Sequence, residues 1–105
     1  MNISFEEFIN RQGIVPQKIS SFELAWKIND IKSILQWISV NNKVVLGGDV
    51  LYSNTEYTYD SWYYNIDDTH SFLVNAKNSI EKASEYISNY IAANGSDYYV
   101  VLIFK

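Results

Sequence analysis

Carboxylates and aromatic rings gathered between Leu46 and His70 are the residues of this sequence best placed to do chemistry. Asp49 follows Gly47-Gly48, and Asp60 stands two residues before Trp62. Two carboxylates held close together can divide the work of general acid and general base, or hold a cationic group brought by a partner. Other catalytic routes have little to draw on. There is no cysteine, and no serine sits in a G-x-S-x-G elbow. His70, the single histidine, lies beside Asp67 and Asp68, but three O/N ligands in one loop do not close a zinc site. These residues read instead as a polar loop whose acids favour the positive end of the helix that follows. Gly47-Gly48 opens no helix, so it is no phosphate-binding loop. Neither metal nor cofactor is expected.

Charge points the same way. The formal net charge is -4 over 105 residues. Between Val44 and Ala76 there is no Lys or Arg, while Asp49, Glu56, Asp60, Asp67 and Asp68 all fall there. This stretch thus carries -5, and the rest of the chain about +1. Nucleic-acid binding needs a basic footprint and is disfavoured. A basic partner is the natural complement; a merely solubilising surface is the plainer alternative. With 48% hydrophobic and 19% charged residues, the chain should fold, and its length suits one domain spanning 1–105. The missing cysteines suggest a reducing cytoplasm. No apolar run nears the roughly 20 residues that span a bilayer, and no membrane association is expected.

The elements that must position these residues are legible from periodicity. Ser4-Phe5-Glu6-Glu7 forms a capping box for a short helix that Gly13 ends. Residues 18–26 are irregular or briefly extended. A second helix is expected from Asn29 or Asp30 to Val40, with Ile31, Ile34, Leu35 and Ile38 as its apolar stripe. Residues 43–53 and 56–64 read as two strands of a hairpin turning at Asn54-Thr55. A long third helix is expected over about 71–93, capped by Thr69 or Ser71 and stopped by Asn94-Gly95, with Leu73, Ala76, Ile80, Ala83, Ile87 and Tyr90 facing inward. Tyr98 to Phe104 is too short for another helix and reads as a central strand. The result is an α+β domain: a small, mainly antiparallel sheet, built from hairpin 43–64 and strand 98–104, packed against three helices.

A two-residue turn fixes the expected register. Asp49 then faces Asp60, Val50 faces Tyr59, and Gly47 faces Trp62. Alternation places Asp49, Asp60, Trp62 and Gly47 on one displayed face, with Trp62 across a position that lacks a side chain. Tyr52, Tyr57, Tyr59 and Tyr63 join Val44, Leu46 and Val50 on the inner face. Two opposed carboxylates repel. A register shift from a bulge at the glycines or a longer turn, a partner's cation, or a catalytic pairing would each resolve the conflict. Tyr63 and Tyr64 cannot both point inward, so aromatic surface should remain exposed. Trp26 and Trp37 are assigned to packing. Asp49, Glu56, Asp60, Trp62, Tyr64, Asp67 and Asp68 are therefore the candidate partner-binding residues, and Gly47 and Gly48 the structural motif.

Val45-Leu46-Gly47-Gly48-Asp49-Val50, followed by Tyr59-Asp60-Ser61-Trp62-Tyr63, resembles the paired signature of the immunity protein 40 family. Gly13-Ile14 after the first helix and Ser79 to Ile87 in the long helix fit the same family, so the resemblance runs through nearly the whole chain. Leu51 stands where an aromatic residue is expected, and Ser61 where an Asn is common. The resemblance implies a non-enzymatic protein of a bacterial polymorphic toxin system, which binds its cognate toxin and neutralises it. It does not say which residues touch toxin. A general protein-interaction module with no toxin, and a small acid–base enzyme using Asp49 and Asp60, are the alternatives that the residues themselves leave open.

Overall fold

The computed structural model describes residues 3–105. Helix α1 (Phe5–Gln12) is capped as its sequence requires: Ser4 Oγ accepts from the Glu7 amide at 3.1 Å, and Gly13 ends it at φ 69°. Two short strands follow, β1 (Gln17–Lys18) and β2 (Leu24–Lys27), in the stretch expected to be irregular. A 3-10 turn over Ile28–Asp30 leads into α2 (Ile31–Val40). Strands β3 (Val45–Tyr52) and β4 (Tyr57–Tyr63) form the hairpin, α3 spans Phe72–Asn94, and β5 (Tyr98–Phe104) closes the chain.

The sheet has five strands in the order β1-β2-β5-β3-β4, and every pairing is antiparallel. The α+β architecture is as the periodicity predicts, with β5 in the middle, but β1 and β2 extend the sheet beyond the three expected strands.

The two faces of this sheet differ. One carries all three helices. Trp26, Val45, Val50, Trp62 and Val100 pack there against Ile31, Ile34, Leu35 and Ile38 of α2, Ala83, Ile87 and Tyr90 of α3, and Ile9 of α1. Phe5 joins this core through its contacts with Trp26, Trp37 and Phe104 at ring separations of 5.0–5.7 Å. The other face has a small apolar centre, Ala25, Leu51 and Val101, bordered by Ile19 and Tyr99. No helical residue belongs to that second cluster. Strand β3 is tied to α3 by Ser79, whose hydroxyl accepts from the Val45 amide at 2.9 Å and donates to the Ala76 carbonyl at 2.8 Å. The inward stripe of α3 begins at Ala76; Leu73, expected within it, is exposed. Among the described residues no helix is long and apolar enough to cross a membrane.

Candidate functional site

The hairpin differs from the expected register in two places. The turn is one residue longer: the Tyr52 amide donates to the Glu56 carbonyl at 2.8 Å, so Ser53, Asn54 and Thr55 form the loop and Leu51 pairs with Tyr57. Thr55 takes φ 70° to make that turn. The ladder then breaks between Asp49 and Leu51. Thr58, Tyr59 and Asp60 together oppose Val50, and pairing resumes at Asp49–Ser61, Gly48–Trp62 and Gly47–Tyr63. The bulge is held by Thr58, whose hydroxyl donates to the Val50 carbonyl at 2.8 Å and accepts from the Asp60 amide at 3.0 Å. Tyr59 sits at its crest with φ 70°, in the left-handed region that costs a side-chain-bearing residue about 1–2 kcal/mol.

This bulge separates the two carboxylates. Asp60 turns toward the helices, where its Oδ2 accepts from the Tyr90 hydroxyl at 2.9 Å. Burial and that hydrogen bond push the Tyr90 hydroxyl up to about 12. Asp49 shares the opposite, helix-free face with Leu51, between Ser61 of β4 and Val101 of β5. The expected Asp49–Asp60 opposition is therefore corrected, and with it the geometry on which a paired-carboxylate acid–base site depended. The longer turn and the bulge in β4 together resolve the conflict, while a separate register shift between Val45 and Gly47 lies on the β5 side of β3.

Trp62 is corrected as well. Expected on the displayed face, it is only 4% exposed and lies on the helix face, stacked on Tyr86 at 4.8 Å. Its indole covers Gly48: a Cβ there would come within 2.5 Å of the ring. Gly47 serves a different purpose, since at φ 150° its own Cβ would fall 2.3 Å from the Trp62 carbonyl oxygen. Both glycines are thus packing requirements of the hairpin. The register shift also moves Tyr57 and Tyr63 to the helix-free face. Tyr52 stays on the helix side, beside Tyr98 at 6.1 Å, but all four tyrosines expected inside, Tyr52, Tyr57, Tyr59 and Tyr63, are exposed, Tyr59 by 92%. Tyr59 is the feature of this region that strict alternation hides, because only a bulge turns it outward.

The remaining candidates occupy the hairpin loop and the loop into α3. Glu56 is exposed beside the hairpin turn. Tyr64 is half-buried and donates to Asn75 Oδ1 at 2.7 Å. Asn75, fully buried on α3, also accepts from the Asp67 amide at 2.8 Å and donates to the Asp67 and Ser71 carbonyls at 2.9 and 3.0 Å. It fixes the whole path from Tyr64 to Ser71. Asp67 accepts from the Thr69 hydroxyl and amide, which hold its carboxyl below the usual range. His70 lies 3.6 Å from Asp67. Among the described residues no group of three His, Asp or Glu side chains is arranged to hold a metal ion.

Asp49, Tyr57 and Tyr63 thus come together on the helix-free face, whereas Asp60 faces α3 and Asp67 and Asp68 lie in the loop leading to that helix. A comparison with protein-family models matches the family described as Immunity protein 40 over residues 12–104. No curated protein and no solved structure matches the chain. The match takes in the hairpin, its bulge and all five strands, and on it the chain belongs to the Immunity protein 40 family.

Proposed function

We propose that the protein neutralises a cognate bacterial toxin by binding it tightly and occluding it, and that the acidic, aromatic stretch from Asp49 to Asp68 supplies the contact surface. Family membership supports an immunity role and implies a toxin as partner. The observation that carries the surface assignment is the absence of any Lys or Arg from residue 44 to residue 76, where Asp49, Glu56, Asp60, Asp67 and Asp68 accompany exposed Tyr57, Tyr59 and Tyr63. Opposite charge steers encounter with a basic surface, and aromatic side chains at the centre of an interface slow release. Trp62 acts from below, by holding the hairpin in shape. Action is in the cytoplasm, where the toxin would be met before it does harm.

The test is neutralisation by the product of this gene of a toxin encoded beside it. Co-expression should restore growth, and the purified pair should associate with a rate constant that falls as salt rises. Failure to protect and to bind would overturn the immunity reading. Tight binding with a salt-independent association rate would overturn the acidic surface alone.

A further inference from the structure

Asp49 is half-buried in the middle of the helix-free sheet face, and among the described residues no side-chain or backbone donor bonds to its carboxylate. A carboxylate that no donor of the chain engages is open to a cation brought by a partner. Its setting is aromatic. Ser61 stands directly across on β4, with Tyr63 paired to Gly47 and Tyr57 paired to Leu51 on the same face. Burial raises the Tyr57 hydroxyl, and so do the charges of Glu23 and Asp49 beside it. Lys27 shares this face through its pairing with Tyr99, but it lies two strands from Asp49, level with Leu51, and roughly 10 Å away across the sheet.

The outer edge of β4 is poorly suited to pairing with another strand. The bulge at Thr58–Asp60 interrupts it, and the Lys82 ammonium occupies the Tyr63 carbonyl at its end. A partner meeting this side of the molecule therefore meets side chains, not a free ladder.

We infer that Asp49, set between Tyr57 and Tyr63 on the helix-free face, receives an arginine or lysine side chain of the toxin, with the tyrosine rings packing along its stem. This rests on the proposed toxin-binding role and narrows it from the whole acidic stretch to one sheet face. Charge complementarity selects the occupant: the ring faces attract a cation and the carboxylate pairs with it.

Affinity for the catalytically inactivated toxin encoded beside the gene, measured for four variants, tests this. Asp49→Asn and Tyr63→Ala should each weaken binding by about tenfold or more. The two together should weaken it by less than the product of the single effects, because both act on one guest side chain. Asp67→Asn with Asp68→Asn, at the loop end of the contact surface, should weaken binding less than Asp49→Asn alone, since exposed rim charges contribute little. Wild-type affinity in both Asp49→Asn and Tyr63→Ala, with the complex still formed, would overturn the inference and leave the immunity role standing. Weakening confined to the Asp67/Asp68 variant would overturn it in favour of the loop. No complex with the unaltered chain would overturn both.

Discussion

At the residue scale, Gly48 and Trp62 act as one unit. The indole lies where a Cβ of residue 48 would be, 2.5 and 2.7 Å from its ring carbons, and the Val101 carbonyl closes the other side at 2.8 Å. Gly48→Ala should therefore destabilise the fold by about 3 kcal/mol, the cost of overpacking a site with backbone on one wall. Trp62→Phe in the same chain removes the outer ring and should recover part of that loss. It also removes the buried indole N–H, which has no protein partner among the described residues. Denaturant unfolding of the two single variants and the double variant measures the coupling. Strictly additive losses would mean that the ring and the glycine are independent. The spacing of Gly47-Gly48 and Trp62 does reveal from sequence that a tryptophan covers a glycine. Which glycine it covers depends on a register that local alternation leaves one residue off, because neither the three-residue turn nor the bulge has a decisive local signal.

At the element scale, the helices were the most legible part. Ser4 and Ser71 cap α1 and α3 as their positions suggest, and Gly13 and Gly95 follow their ends. Strands β1 and β2 were not, since two and four residues are too few to show a period. Strand β4 was legible as a strand but not in its faces. Thr58 and Asp60 look like ordinary polar positions of an alternating strand, and only the tertiary fit that puts Trp62 on the helix face requires the bulge. The bulge carries a testable cost. Tyr59 holds φ 70° while its ring is 92% exposed, so its conformation is not repaid by burial. Tyr59→Gly should raise stability by about 0.5–1 kcal/mol, the left-handed penalty less the entropy glycine loses on folding. Thermal unfolding of the variant checks it, and a lower midpoint would mean that the Tyr59 side chain supports the fold.

At the scale of the whole molecule, the sheet has a committed face and a free one. Three helices cover the first, and their packing uses Trp26, Trp37 and Trp62 as core. The second holds Ala25, Leu51 and Val101, with Asp49 and the β4 tyrosines around them. Composition located the acidic region correctly in sequence, as a run without Lys or Arg. It could not divide that region between two faces and a loop, because the division is made by one bulge. The helix-free face is the surface proposed to meet the toxin. Amide hydrogen exchange of the chain alone and bound to the toxin encoded beside its gene examines that most directly. Protection on binding should concentrate in β3 around Asp49 and in β4 from Tyr57 to Tyr63, with α1 and α2 unchanged. Protection confined to α1 and α2, with β4 exchanging as in the free protein, would contradict it.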